Sequence, residues 1–350
     1  MTNAEMKKVL IKASIFTVIS IAVMLHRSAT KHILITDAAG QNLDREFSSE
    51  SYNLLVDRNT SGRQVGKLTI PLSKSVSSDD IVMEDRYVDH ELRIYIDCRE
   101  EGFYLDNAVI SDLDIIDEAV CITENDTGSV CLDFKLDGLY ANESSLTESS
   151  TIEVRFFKPY EEYEQIVVVD PVCGGSDAGD SFDELSEKDI ALDVALAFKS
   201  EVDKAEDNTI KFYYTRLSDT DVDDARRIQL IEDTQADLVV RIGADLSQNG
   251  QAGIKAYYND EFFIRKMNNA QFAGELVNGC ASKSGAGVIG VYPEYEDDTV
   301  LKASRTPTAK ISVGELNVVE DQNRLRDKSY IGKMASGIYQ GISDAFEEMK

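Results

Sequence analysis

Residues 166–202 read IVVVDPVCGGSDAGDSFDELSEKDIALDVALAFKSEV. Ile166 to Val169 are all apolar, the pattern of a strand buried on both faces of a parallel sheet. A loop with Gly174, Gly175 and Gly179 follows, and then Ile190, Val194, Ala197 and Val202 recur at helical spacing. Strand, loop and helix in this order predict an α/β unit. Working outward, IKFYYT, DLVVRIG, GIKAYY, GVIGVY and AKISVG read as further strands, with helical stretches around 221–234, 262–283 and 328–349. In such a sheet the ligand crevice lies at the carboxyl ends of the strands, here just after IVVVD, RIG and ISVG.

Before Tyr160 the pattern changes. ELRIYIDC, VCLDFKLDGLY and TIEVRFF alternate apolar and polar residues and are rich in β-branched and aromatic side chains, so residues 81–160 read as a small all-β module. Residues 33–80 are polar and serine-rich apart from KLTIPL and read as a stalk. Residues 1–32 carry Lys7, Lys8, Lys12, Arg27 and Lys31 against Glu5, around the uncharged thirteen-residue run ASIFTVISIAVML. Counted from Val9, with Lys12 reaching its ammonium to the interface, the helix would span about 25 Å, the short end of a bilayer crossing. A membrane helix is the expectation, with a cleaved signal peptide and a buried core helix as the alternatives. Either of the first two exports residues 33–350, giving a single-pass cell-membrane protein with its bulk extracytoplasmic.

The chain has 36 Lys+Arg against 64 Asp+Glu, a formal net charge of −28. A polyanion of this kind repels phosphate backbones, which excludes a general nucleic-acid binder. Five cysteines, Cys98, Cys121, Cys131, Cys173 and Cys280, make no even framework. Cys121 and Cys131 flank a turn-rich segment symmetrically, so a hairpin would set them opposite each other, as a disulfide or as two half-buried thiols. Histidine occurs only at His26, His32 and His90, so imidazole is absent from the last 260 residues as base or metal ligand.

Taken in order, IVVVDPVCGGSDAGD, LSEKDIALDVA, YYTRLSDTDVDDARRI, ADLVVRIGADL and PTAKISVGELNVVED make residues 163–350 resemble the zinc-dependent N-acetylmuramoyl-L-alanine amidases of bacterial cell walls. The resemblance implies a mixed sheet flanked by helices over 161–350, and cleavage of the amide between muramic acid and the first L-alanine of the stem peptide. It also implies a zinc ion with three protein ligands and an open position for water, with a carboxylate to move protons. The first ligand would be the histidine of a DPGHGG motif, where this chain has Cys173 in Asp170-Pro171-Val172-Cys173-Gly174-Gly175. The second would be the glutamate of an EKD motif, matched by Glu187. The third would be the histidine of SIHAN, where Arg241-Ile242-Gly243-Ala244-Asp245 offers Gly243. The base would be the glutamate of VELG, where Ile311-Ser312-Val313-Gly314 offers Ser312. The resemblance further places Asp170, Arg216 and Arg227 along the substrate groove, and compares the β-rich module with the amidase N-terminal type of targeting domain.

Two imidazoles and the base are thus replaced, and a serine hydroxyl is no carboxylate base near neutral pH. The expectation is an amidase-like domain that does not hydrolyse and holds no cofactor, acting by binding peptidoglycan, its stem peptide or a cell-envelope protein. An active amidase with an atypical zinc site on Cys173, Glu187 and Asp245 or Asp177 is the alternative, since thiolate and carboxylates are admissible zinc ligands. A structural envelope scaffold is the second. Glu187 is also explained without metal, because glutamate in a first helical turn is favoured by the macrodipole. Glu315, three residues past Ser312, is expected on the opposite face of its strand.

Overall fold

The computed structural model describes residues 34–37, 49–58, 66–97, 100, 102–124, 129–205, 209–261, 266–294 and 298–350. The expected membrane helix, within residues 1–32, lies outside them, and no helix among the described residues is long and apolar enough to cross a membrane.

The β-module is a two-sheet sandwich. Its strands are β1 (Leu34–Asp37), β2 (Ser49–Asn53), β3 (Val56–Asp57), β4 (Leu68–Pro71), β5 (Ile81–Arg86), β6 (Glu91–Ile96), β7 (Val109–Ser111), β8 (Ile116–Glu124), β9 (Val130–Leu136), β10 (Ala141–Leu146) and β11 (Thr151–Phe157). One sheet runs β1-β5-β6-β9-β8-β2 and the other β10-β11-β4-β7-β3. Alternation along each strand sends Met83, Ile94, Leu132 and Phe134 from the first sheet and Leu68, Ile70, Ile152 and Val154 from the second into one core. The stalk expected over 33–80 is therefore corrected: β1 to β4 fall inside it and pair with later strands. Of these, β2 (SESYN) and β3 (VD) were hidden by polar composition and shortness, both being sheet margins.

The hairpin of β8 and β9 forms, but its register pairs Cys121 with Leu132 and Ile122 with Cys131. The two cysteines are one step out of register and on opposite faces, so they do not face each other. Both are free, buried thiols.

The second unit is the α/β domain. Its main sheet consists of β12 (Gln165–Pro171), β15 (Ile210–Tyr214), β16 (Leu238–Asp245), β17 (Ile254–Tyr258), β18 (Val288–Pro293) and β19 (Thr308–Glu315), and a small ribbon of β13 (Ser181–Phe182) and β14 (Leu185–Ser186) precedes the first helix. The sheet order is β15-β12-β16-β19-β17-β18. β12, β15, β16 and β19 are mutually parallel, and β17 runs antiparallel to β19, giving the expected mixed sheet. Helices α1 (Glu187–Val202), α2 (Asp224–Thr234), α3 (Asn269–Ser284), α4 (Thr299–Ala303), α5 (Val319–Leu325) and α6 (Lys328–Met349) accompany it. Ser186, Asp223 and Asn268 cap α1, α2 and α3 by accepting backbone N–H bonds, which fixes where each helix begins.

Candidate functional site

The carboxyl ends of β12, β16 and β19 lie side by side in the sheet. From β12 the chain turns through Cys173, whose φ of 60° is in the left-handed region, a strained conformation for a residue with a Cβ. The turn is held from behind. Lys188 Nζ donates to the Gly175 carbonyl and to Asp219, each at 2.8 Å, and Asp219 accepts from the Gly175 N–H at 2.7 Å.

Glu187 opens α1 and is buried beside this turn. Its Oε2 accepts from Cys173 Sγ at 3.8 Å and from the Asp180 N–H at 3.3 Å. Its Oε1 lies so close to Gly243 on β16 that a Cβ there would overlap it. Positions 173, 187 and 243, which the resemblance names as metal ligands, therefore converge on one point. Ser312 is the register partner of Gly243 and is fully buried.

Lys310 and Lys255 are functional-site residues that the sequence reading missed. Lys310 Nζ lies 2.9 Å from Glu187 Oε1 and 3.7 Å from Asp245 Oδ1. Lys255 Nζ lies 3.1 Å from Asp245 Oδ2 and 2.7 Å from Glu315 Oε1. Glu187, Lys310, Asp245, Lys255 and Glu315 thus form a chain of alternating charge across the strand ends. Burial works against the Lys310 ammonium, but the Glu187 and Asp245 carboxylates outweigh it and raise its pKa. Lys255 is raised in the same way by Asp245 and Glu315. Asp245 is lowered despite burial, because both ammoniums face it. The signal was present: Arg241 and Lys310 are charged residues inside strands whose other interior positions are buried.

Glu315 corrects a sequence expectation. The ladder pairs Gly243 with Ser312 and then Asp245 with Glu315, so β19 carries one extra residue. This bulge turns Glu315 to the Asp245 side instead of the opposite face, as bulges beside binding sites commonly do. Glu315 is buried there, and burial raises its pKa against the pull of Lys255.

Of the three residues expected along the groove, Arg227 borders a cavity, and Asp170 and Arg216 lie buried beneath it. Asp170 is wholly buried and accepts from the Thr215 hydroxyl at 2.6 Å, from Arg241 Nε at 2.7 Å and from Arg227. Burial opposes its charge, but the two guanidiniums prevail and hold the carboxyl well below the usual aspartate range. Arg216 is equally buried, with its guanidinium given to the carbonyls of Pro171, Val172, Lys188 and Ser218. Arg227 borders a cavity, but its donors go to Asp170 and to the carbonyls of Pro171, Val222 and Cys173. All three shape the turn that carries Cys173, because buried guanidiniums must satisfy their donors inside the protein.

Two cavities flank the charge chain and share Glu187 and Lys310. One, of about 380 Å³, reaches Asp177, the first turn of α2 and Asp298. The other, of about 920 Å³, is lined by Ser247, Asn249, Tyr257, Tyr292 and Glu294 among others.

A three-ligand zinc site does not fit this donor set. Among the described residues, no group of three or more His, Cys, Asp or Glu side chains is placed to hold a metal. Gly243 supplies no donor atom. Burial, with Glu187 and Asp177 nearby, pushes the Cys173 thiol of the metal-free chain up to about 12. Of the substitutes, Asp245 is paired with two lysines, and Asp177, beside Cys173, accepts from the Gly179 N–H at 3.0 Å through Oδ1.

The family model for N-acetylmuramoyl-L-alanine amidase matches residues 167–344, about half of the chain. The germination-specific N-acetylmuramoyl-L-alanine amidase of Bacillus subtilis (strain 168) is 26% identical over 203 residues, covering 53% of this chain and 81% of that protein. The sporulation-specific N-acetylmuramoyl-L-alanine amidase of the same organism is 25% identical over 185 residues, covering 53% and 69%. Among solved structures, the catalytic domain of the amidase CwlV from Bacillus (Paenibacillus) polymyxa var. colistinus has a TM-score of 0.47 at 23% identity, covering 52% of this chain and 98% of that one. The CwlD amidase of Clostridioides difficile, solved in complex with the GerS lipoprotein, has a TM-score of 0.47 at 20% identity, covering 53% and 99%. With the family model matching just over half of the chain and every site position lying inside the match, this chain belongs to the N-acetylmuramoyl-L-alanine amidase family.

Proposed function

We propose that this protein is an extracytoplasmic cell-wall protein, anchored through residues 1–32, whose amidase domain binds peptidoglycan without cutting it. The observation that carries this reading is the convergence of Cys173, Glu187 and Gly243 on one point with only Glu187 keeping the ligand chemistry of the family. Without a third donor, and with Ser312 where the family has its carboxylate, the parts needed to activate water and move its proton are missing. Ligand-sized space remains beside them. The larger cavity presents hydroxyls, amides and two tyrosine rings, groups suited to sugar and peptide hydrogen bonds.

Purified sacculi provide the test. The full chain is expected to co-sediment with them and to release no stem peptide. Tyr257→Ala, which removes an aromatic wall of the larger cavity, is expected to weaken sedimentation. Undiminished binding by that variant, or no binding by the wild type, would count against a peptidoglycan groove and favour the scaffold reading.

A further inference from the structure

Loss of a metal from a family site leaves a problem of charge. Glu187 is buried, and a buried carboxylate left without a cation is strongly destabilising. Here a cation is present. Lys310 Nζ stands 2.9 Å from Glu187 Oε1, on the side of Glu187 that faces position 243. The lysine stem also passes over Gly243: a Cβ at 243 would lie 2.7 Å from Lys310 Cε as well as overlapping Glu187 Oε1. The opposite carboxylate oxygen of Glu187 faces Cys173. The ammonium is further supported by Asp245, which Lys255 links to Glu315.

We infer that the Lys310 ammonium is a built-in cation occupying the metal's place in this fold, and that residue 243 is glycine because the lysine needs the volume a ligand side chain would fill. This rests on the reading that the domain does not hydrolyse, and it adds how the site became stable without metal. It also makes the change a coupled one. Restoring histidines at 173 and 243 cannot by itself restore zinc, since the imidazole at 243 would meet the lysine stem and the ion would meet a fixed positive charge.

The test compares full-length C173H/G243H with C173H/G243H/K310L after dialysis against zinc chloride and removal of free ion. About one zinc per chain is expected in the triple variant and none in the double. Uptake by the double variant with Lys310 retained, or by neither variant when both are folded, overturns the inference. A second measurement uses variants that keep Gly243. Lys310→Met and Glu187→Gln are each expected to lower the thermal midpoint by about 10 °C, and the two together by less than the sum. An unchanged midpoint for Lys310→Met also overturns it. Zinc-dependent hydrolysis by the wild type would instead defeat the non-hydrolysing reading, and it is read in a separate arm on unmodified protein.

Discussion

The Tyr87 hydroxyl of the β-module donates to the Tyr214 carbonyl at 3.2 Å and accepts from the Tyr214 N–H at 2.9 Å. Tyr214 ends β15, an edge of the α/β sheet, so the module covers the end of an edge strand. The Tyr87 ring also packs edge-on against Tyr213, with centroids 5.0 Å apart. Asp89 with Arg226 at 3.0 Å and His90 with Asp233 at 3.1 Å extend the contact onto α2, whose first turn borders the smaller cavity. The module is thus docked on the domain and not merely tethered to it.

Tyr87→Phe should therefore destabilise the chain by about 1–3 kcal/mol, the loss of two buried hydrogen bonds with the ring retained. Thermal unfolding followed by circular dichroism checks this, with one shared transition expected for the wild type. Two separate transitions, or a Phe variant with the wild-type midpoint, would show that the docking contributes nothing.

Asp170 joins Arg227, Arg241 and Thr215 beneath the site, and its pKa is depressed in the folded chain. The unfolded chain then takes up the proton first, so the stabilisation is complete above about pH 4 and is lost as pH falls below it towards the folded value. Asp170→Asn should cost about 3–5 kcal/mol at neutral pH, because two buried guanidiniums lose their counter-charge. Its stability should also fall less steeply than that of the wild type on acidification. Melting curves between about pH 3 and pH 7 read both effects.

Helices α3 and α6 cross with their backbones nearly touching. A Cβ on Gly337 would lie 2.5 Å from the Cα of Cys280 and 2.8 Å from its nitrogen. Gly337→Ala should therefore cost about 1–3 kcal/mol through overpacking, although alanine is the better helix former. Urea unfolding checks the sign: a stabilised variant would mean that the crossing relaxes freely.

The α/β domain was legible because its strands are mostly apolar, as in Ile166–Val169, and its first helix carries a regular stripe from Ile190 to Val202. The segments that carry the site followed from the strand ends, and the resemblance singled out Cys173, Glu187 and Gly243 within or beside them. Three things were not legible. A bulge re-aimed Glu315, and strict alternation cannot foresee one inserted residue. The resemblance placed Asp170 and Arg216 along the groove, yet both are fully buried and belong to the frame beneath it. The ion pair of Lys310 with Glu187 joins residues more than a hundred positions apart, so only the folded sheet brings it into view.

The central claim is that the family's hydrolytic site has become a binding site. It is tested most directly by incubating the purified full chain with peptidoglycan, with and without added zinc, and measuring released stem peptide alongside bound metal. The account predicts no release in either condition and zinc well below one per chain. Zinc-dependent release of stem peptide, with one zinc bound per chain, would contradict it.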